Sequence, residues 1–240
     1  MTYKSILAIF IMGFFLLPMK TLFSEIKHIE KKTYAKVEKI NVDTTEVAIY
    51  NNLNSNHFAL PKFETFNEAL KGFYKLKQKG TVSKNILTLI DFTMSSNSKR
   101  LWVIDLDSKT ILFNSLVAHG RNTGGEFASS FSNAAQSFKS SLGFYVTGEI
   151  YKGKHGMSLK LDGVEKGINN NARNRAVVMH GAEYVSNSFI RDNKRLGRSL
   201  GCPAIPVDLT KEIINAIKNK SCLFIYYPSE GYKTLSKLVS

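Results

Sequence analysis

The stretch ILTLIDFTMSSNSKRLWVIDLDSKTILFNSLVA, residues 86–118, decides the fold class. Three short runs rich in Ile, Leu, Val and Phe are separated in it by clusters of Ser, Asn, Lys and Asp, and they cover 86–92, 101–106 and 111–118. Short apolar runs bounded by turn residues predict β-strands. Two later runs, AVVMH at 176–180 and CLFIYY at 222–227, extend the pattern. We therefore predict a mostly β fold.

Helices are predicted at the two ends of this β region. Apolar residues at 63, 66, 70 and 73 recur at steps of three and four, which gives one apolar stripe on a helix that Gly80 ends. A second helix is predicted over 207–220, with Ile213, Ile214 and Ile217 on one face. Both stripes are interpreted as core packing, so the helices are expected to lie around the β core.

The middle of the chain, residues 119–175, is rich in Gly, Ser and Asn, with aromatic residues such as Tyr145 between them. This composition predicts long loops and short strands that shape a groove. His119 and His155, each followed by Gly, are expected on loops that border the groove, and both are candidates, with Tyr145, to bind substrate. No nucleotide or other cofactor is expected, because GRNTGG at 120–125 lacks the spacing of a phosphate-binding loop.

Composition limits the possible partners. The 240 residues carry a net charge of +14, from 33 Lys+Arg against 19 Asp+Glu. Hydrophobic residues make up 43% of the chain, which excludes wholesale disorder, and two cysteines exclude a disulfide-rich scaffold. The positive charge predicts an anionic partner, such as nucleic acid, acidic lipid or a cell-wall polymer. Charge alone does not choose among them.

The first 24 residues have the features of an export segment. Lys4 precedes an apolar run over 6–17 that Pro18 ends. This run is shorter than the roughly 20 residues that span a bilayer, so a secretory signal is favoured, with a retained anchor as the alternative. The chain is accordingly divided into four parts: a signal or anchor at 1–24, a polar arm at 25–56, the main domain at 57–228 and a C-terminal tail at 229–240.

The segment that can carry chemistry is His180-Gly181, followed after a loop by RSLGCP at 198–203. A thiol nucleophile needs a base, because a Cys with the ordinary pKa of about 8.5 is only slightly ionised near neutrality. His180 ends a predicted strand and Cys202 lies in a Gly-containing turn, so both can face one groove. Gly201 would let the backbone approach a substrate carbonyl, and N–H groups near Cys202 would receive the developing oxyanion.

Three alternatives stay open at this point. Cys202 can be a buried structural cysteine, since a Cys and a His in one chain do not prove proximity. It can form a disulfide with Cys222, which lies in the apolar run CLFIYY and is otherwise a core residue. His119, His155 and His180 can bind zinc, although no local spacing supports a metal site.

HG…SLGC resembles the catalytic motif of the L,D-transpeptidases, which is His-Gly, a spacer, and then Ser/Thr-x-Gly-Cys. The similarity runs through 90–125, 131–163 and 176–206, and covers about residues 60–228. These segments look like the murein branch of the family, in which Pro-Ala follows the cysteine. The resemblance implies a β-sandwich or barrel domain with peripheral helices, acting as a catalytic domain.

The resemblance also implies roles for particular residues. Cys202 matches the nucleophile, which attacks the carbonyl of the third residue of a stem tetrapeptide, releases D-alanine and forms a thioester. His180 matches the general base, oriented by a nearby backbone carbonyl, here expected to be that of Gly181. Ser199 and Gly201 match the positions that shape the turn and the oxyanion site. A second stem's amine would then complete a 3→3 cross-link, whereas water would give an L,D-carboxypeptidase.

One departure from the family pattern concerns the acceptor. Many members carry Arg or Asn shortly after the cysteine, where this chain has Pro203-Ala204-Ile205-Pro206. A contact to a substrate carboxylate must then come from elsewhere or be absent. Arg198 and Arg121 are the candidates because a guanidinium matches a carboxylate, and Arg198 is preferred. Arg121 is interpreted as a solvated surface residue.

The expected partners follow from these inferences. They are peptidoglycan stem peptides, together with anionic polymers of a bacterial cell envelope outside the cytoplasm. Nucleic acid is not expected, and a membrane is expected only through an uncleaved N-terminal segment. The competing hypothesis from another class is a non-catalytic wall-binding protein that uses the charge of +12 left after removal of Lys4 and Lys20.

Overall fold

The computed structural model of the chain describes residues 44–240. The export segment predicted at 1–24 and most of the predicted polar arm lie outside the described residues. Within the described part, no helix is both long enough and apolar enough to cross a membrane.

In the described part of the chain, eight strands form one sheet, in the order β3-β2-β1-β8-β4-β5-β6-β7. The strands are β1 (Ile86–Asp91), β2 (Leu101–Asp105), β3 (Thr110–Ser115), β4 (Gly143–Gly153), β5 (Gly156–Gly163), β6 (Val178–Gly181), β7 (Ala204–Ile205) and β8 (Cys222–Tyr226). Neighbouring strands are antiparallel except for the β1–β8 and β6–β7 pairs, which are parallel. Strands β1, β2 and β8 are almost wholly buried, as their apolar runs predict.

The two edges of the sheet meet. Beyond the end of β3 the chain continues to Ala118, which forms an antiparallel bridge with Ala204 of the opposite edge strand. The N–H of Ala118 donates to the carbonyl of Ala204 at 2.8 Å. The sheet is therefore a nearly closed barrel, and the prediction of a mostly β fold is confirmed.

Within residues 44–240, five helices lie around this barrel. They are α1 (Thr44–Asn51), α2 (Phe63–Gln78), α3 (Asn187–Asn193), α4 (Val207–Ile217) and α5 (Glu230–Leu235). The two helices predicted from apolar stripes are α2 and α4. In α4 the three predicted isoleucines are fully buried, and in α2 the stripe packs on the sheet except for the half-buried Phe63.

The longest hairpin lies in a segment for which long loops and short strands were predicted. Strand β4 has 11 residues and β5 has 8, and the two are joined by the turn Lys154-His155. The alternation of side chains between the two faces of β4 is interrupted, because the register of β4 with β5 shifts between Thr147 and Ile150. The outer half of the hairpin is exposed and polar, so the sequence there lacks the apolar pattern by which the other strands were predicted.

Part of the predicted polar arm packs on the domain. The Tyr50 ring of α1 meets the Phe63 ring of α2 edge-on at 5.2 Å, and its hydroxyl donates to the carbonyl of Pro61 at 2.7 Å. The N–H of Asn54 donates to the carbonyl of Lys109 at 2.7 Å. These few contacts hold the segment on the domain. The residues between them are polar, so the sequence pattern does not indicate the packing.

The C-terminal residues, predicted as a tail, are tied to the domain through a buried carboxylate. Glu165 accepts hydrogen bonds from the backbone N–H of Phe144 at 2.7 Å, from the Tyr232 hydroxyl at 3.2 Å, and from the Ser236 hydroxyl. Tyr232, Ser236 and Leu238 are all buried. Burial raises the pKa of Glu165, while these hydrogen bonds lower it. The segment after Pro228 is therefore part of the folded domain.

We expect Glu165→Ala to lower the free energy of unfolding by about 2 kcal/mol, because it leaves the buried N–H of Phe144 without an acceptor. Urea unfolding measures the change, with the exposed neighbour Lys166→Ala as the matched control. Limited proteolysis of the same variants reports whether the segment from 229 onwards detaches first. Equal stability of the two variants would contradict this account of the C-terminal contact.

Candidate active site

The parallel pair β6–β7 brings the predicted base and nucleophile to one place. In this pair His180 lies opposite Ala204, two residues after Cys202. The thiol lies along β6, because the N–H of Val178 donates to Cys202 Sγ at 3.4 Å. Cys202 is half-buried and the His180 ring is buried, so both groups sit at the wall of the barrel.

The turn before the cysteine is held by Ser199. Its hydroxyl donates to the carbonyl of Cys202 at 2.6 Å and accepts from the N–H of Gly201 at 3.1 Å. The backbone of Ser199 is fixed in turn, since its N–H donates to the carbonyl of His119 at 3.0 Å. Ser199 therefore shapes the turn through its own hydrogen bonds.

Gly201 is required by both conformation and space. Its φ is +121°, a value that residues with a side chain rarely adopt. A Cβ at this position would lie 2.8 Å from the carbonyl oxygen of Lys139. The loop that contains Lys139 thus presses directly on the backbone beside the thiol.

The tautomer of His180 follows from its hydrogen bond. Nδ1 lies 2.9 Å from the carbonyl oxygen of Gly181, which can only accept, so Nδ1 carries the proton. In the neutral ring Nε2 is then the basic nitrogen. The contact with Gly181 is the one expected from the sequence.

Burial controls the protonation of the base. It lowers the pKa of His180 below the ordinary 6.5, and His155 and Lys154 lower it further, while the hydrogen bond to Gly181 opposes the change. The ring is therefore neutral at neutral pH, with Nε2 ready to accept a proton.

Burial also raises the pKa of the Cys202 thiol above its ordinary value. The N–H of Val178 and the cations Arg175 and Lys154 act in the opposite direction, but burial is the larger effect. The resting site is thus a neutral thiol beside a neutral imidazole. This environment does not favour a thiol of low pKa, so a nucleophilic Cys202 would need a base to remove its proton.

Arg175 is a site residue that the sequence analysis missed. Its guanidinium donates to two backbone carbonyls and two hydroxyls of one loop: Ser132 O (2.9 Å), Ser137 Oγ (3.1 Å), Lys139 O (2.6 Å) and Ser141 Oγ (2.6 Å). The same guanidinium lies 3.4 Å from the position a Cβ of Gly201 would take. Arg175 therefore fixes the loop that packs on the turn at 199–202, here called the catalytic turn. It also places a positive charge near the thiol. The sequence signal was weak, because one of the two arginines in NNNARNR at 169–175 has no distinguishing pattern.

The predicted substrate-binding residues lie in different environments. Arg198 is exposed, and its Nη1 donates to the carbonyls of Gly124 at 3.1 Å and Arg121 at 3.4 Å. His155 is exposed at the tip of the β4–β5 hairpin, where its ring stacks on that of His180. Tyr145, in contrast, is a core residue, 1% exposed, with its hydroxyl bonded to the carbonyl of Ser141. We therefore leave Tyr145 out of the candidate substrate surface.

His119 is buried and held by an equally buried arginine. Arg100 Nη2 donates to His119 Nδ1 at 2.9 Å, and His119 Nε2 contacts the carbonyl of Gly124 at 3.3 Å. Burial lowers the pKa of His119 to about 4, and the positive charge of Arg100 makes the next largest contribution to this shift. The buried ring therefore supports the backbone that pairs with Ser199. Among residues 44–240, no group of three His, Cys, Asp or Glu side chains is arranged to hold a metal ion.

The two cysteines differ as the sequence suggested. Both thiols are free, and Cys222 is fully buried within β8. In this structure no disulfide joins Cys202 to Cys222. Cys202 is thus the thiol that a reagent can reach.

We expect the rate at which iodoacetamide alkylates Cys202 to keep rising above pH 9, because burial raises the pKa of this thiol above its ordinary value. Mass spectrometry of the intact protein measures the rate, and Cys202→Ser reports any labelling of Cys222. A rate that reaches its plateau near neutral pH would show a preformed thiolate and contradict the assignment of a neutral pair.

Replacing Arg175 with Lys is expected to lower the free energy of unfolding by about 2 kcal/mol, because a single ammonium cannot make all four contacts. Urea unfolding measures the loss, and Cys202 alkylation should slow in the same variant. Arg173→Lys is the matched control, since its ion pairs with Glu149 and Asp162 lie at the exposed surface, where such pairs contribute little to stability. Equal effects of the two substitutions would remove the special role of Arg175.

Comparisons with solved structures give distant likenesses. An L,D-transpeptidase from Mycobacterium smegmatis aligns with 10% identity and a TM-score of 0.37, over 60% of this chain and 59% of its own. The helical cell shape determining protein Pgp2 from Campylobacter jejuni aligns with 12% identity and a TM-score of 0.38, over 67% and 57%. A Bdellovibrio bacteriovorus protein aligns with 13% identity and a TM-score of 0.34, over 62% and 51%. The chain thus spans less than two thirds of each of these structures.

The search of curated proteins found no match. The family comparison is decisive, because the model of the L,D-transpeptidase catalytic domain matches residues 59–226, most of the chain and all of the catalytic turn. With His180 and Cys202 brought together on β6 and β7 inside the matched range, the chain belongs to the L,D-transpeptidase catalytic domain family.

Proposed function

We propose that this protein is a peptidoglycan L,D-transpeptidase that acts outside the cytoplasm, with Cys202 as nucleophile and His180 as general base. The observation that carries the proposal is the hydrogen bond of His180 Nδ1 to Gly181, which leaves Nε2 as the basic nitrogen on the strand that holds the thiol. The family acts on the stem peptides of peptidoglycan, and the site has the groups that acyl transfer needs.

In the first half of the reaction, His180 Nε2 takes the proton from Cys202 Sγ as the sulfur attacks the carbonyl carbon of the third stem residue. The tetrahedral intermediate then collapses. The C–N bond to the terminal D-alanine breaks, and the protonated His180 returns its proton to the leaving amine. A thioester on Cys202 and free D-alanine are the products.

The oxyanion of this intermediate needs a donor in the catalytic turn. The N–H of Gly201 is already bonded to Ser199 Oγ. The N–H of Cys202 faces its own sulfur, where its hydrogen bond favours the thiolate. We therefore assign the backbone N–H of Cys202 as the donor, with Ser199 and Gly201 keeping it in place.

The second half uses the same base. An amine of a second stem attacks the thioester carbon, gives its proton to His180 Nε2, and displaces the Cys202 thiolate, which regains the proton. The product is a 3→3 cross-link. Attack by water instead makes the protein an L,D-carboxypeptidase, and the choice depends on how the acceptor excludes water from the groove.

Charge and exposure support the expected partners. The net charge of +14 favours encounter with anionic polymers of the cell envelope. Near the site, the guanidinium of Arg198 is exposed and can pair with a substrate carboxylate. The export segment predicted at 1–24 would deliver the domain to that compartment.

We expect the wild-type domain to release D-alanine from tetrapeptide muropeptides and to form a thioester that adds the acyl mass to the protein. Cys202→Ala should lose this activity by roughly 1000-fold or more and form no adduct. Cys222→Ala serves as the matched cysteine control and should keep both. If wild type and Cys202→Ala release D-alanine equally, the proposed function is wrong.

Mass spectrometry of the same reaction separates transferase from hydrolase. Dimers joined 3→3 are the expected product when tetrapeptide is both donor and acceptor. Tripeptide without dimers would replace the transpeptidase by the L,D-carboxypeptidase.

A further inference from the structure

The mechanism above makes no use of His155. This residue lies in the two-residue turn between β4 and β5, with Gly153 and Gly156 on either side. Its ring is stacked on that of His180, with the centroids 4.4 Å apart and the planes 17° from parallel. The base of the site is therefore covered on one face by a second imidazole.

The sheet explains why the turn reaches the base. Strand β5 pairs with β6 so that Ser158 lies opposite His180. His155 is three residues before Ser158, beyond the last paired residues Gly153 and Gly156, so its side chain is free to fold over the neighbouring strand. The φ of +77° at Gly156 gives the tight turn that this requires.

The stack supplies a restraint that the hydrogen bond of His180 lacks. The bond from Nδ1 to Gly181 fixes one atom of the ring, but the ring can still tilt about that contact. A flat group parallel to the imidazole opposes the tilt. The two contacts together determine the direction in which Nε2 points.

We propose that His155 is a positioning residue of the catalytic base, whose ring holds the plane of His180 so that Nε2 stays aligned with the proton it accepts. The proposal rests on the proposed function for the role of His180 as base. It differs from the prediction that His155 binds substrate, because the contact that it makes is with the base itself.

The same turn contributes charge to the site. Lys154 and His155 both lower the pKa of His180, and Lys154 also lowers that of the Cys202 thiol. The other cation that acts on the thiol is Arg175, from the segment before β6. A turn that carries positive charge keeps the base neutral, and it favours the thiolate once the proton has left.

The test compares His155→Ala, which removes the stack, with His155→Phe, which keeps a flat ring that cannot be protonated. The exposed hairpin residue Lys152→Ala is the matched control for disturbance of the hairpin. Two measurements are made on the full chain across pH: the rate of Cys202 alkylation by iodoacetamide and the kinetics of D-alanine release. Thermal unfolding verifies that each variant is folded.

We expect His155→Ala to lower kcat about tenfold with little change in KM, a part of the 100-fold or more that a positioned base supplies. Alkylation at pH 7 should fall in parallel. His155→Phe should recover to within about threefold at pH 8. Its acid limb should move to higher pH, because the pKa of His180 rises when the effect of His155 is lost and more of the base is then protonated at a given pH.

Three results would overturn the inference. They are an unchanged His155→Ala, a His155→Phe as impaired as His155→Ala, and a loss confined to KM, which would indicate a substrate contact. The alkylation series separates this inference from the proposed function, since it needs no muropeptide. If the wild type releases D-alanine but alkylation is unchanged in His155→Ala, only the positioning role is wrong. If the wild type releases no D-alanine, alkylation still decides whether His155 aligns the imidazole.

Discussion

The parallel pairing of β6 with β7 is the constraint on which the site depends. It sets His180 opposite Ala204 and thereby lays the Cys202 thiol along the backbone of Val178. Side chains alternate across a strand, so a slip of one residue would turn the imidazole to the other face of the sheet. The Ser199 hydroxyl and the positive φ of Gly201 support this register, because they bend the chain so that Cys202 lies two residues before the start of β7.

Burial and nearby positive charge have opposite effects on the pKa of the Cys202 thiol. The barrel wall buries the His180 ring and partly buries Cys202, and this burial favours the neutral form of both groups. Arg175 and Lys154 belong to two different segments. Their positive charges lower the pKa of the Cys202 thiol and so partly oppose the effect of burial. In the proposed mechanism, this balance keeps the thiol neutral at rest, and the nucleophile forms when His180 accepts its proton. This arrangement suits a thiol that must avoid side reactions in an exposed groove.

Local sequence pattern was enough to predict the strands of 86–118 and the helices α2 and α4. It also indicated that Cys222 is a core residue and that Cys202 lies in a turn, whereas the catalytic roles of His180 and Cys202 were implied by the family resemblance and are proposals. Features that depend on distant contacts were not predictable. Tyr145 looked like a groove aromatic but fills the core, since its neighbours in space come from other strands. Arg175 became recognisable only when the fold placed its guanidinium against the loop at 132–141. The buried Glu165 likewise has its partners in the C-terminal segment, whose sequence is that of a polar tail.

The way in which the barrel closes determines which part of the sheet opens first. The seam is made by the two residues of β7, between β6 and the bridge at Ala118, whereas β1, β2 and β8 are paired over five residues each. Local opening needs the least free energy where the fewest hydrogen bonds hold a strand. The turn at 199–202 leads into β7. Local opening of the seam would therefore separate Cys202 from His180 while the central strands stay paired. Heat would therefore abolish chemistry before it abolishes structure, and the seam would exchange its amide hydrogens well ahead of the central strands.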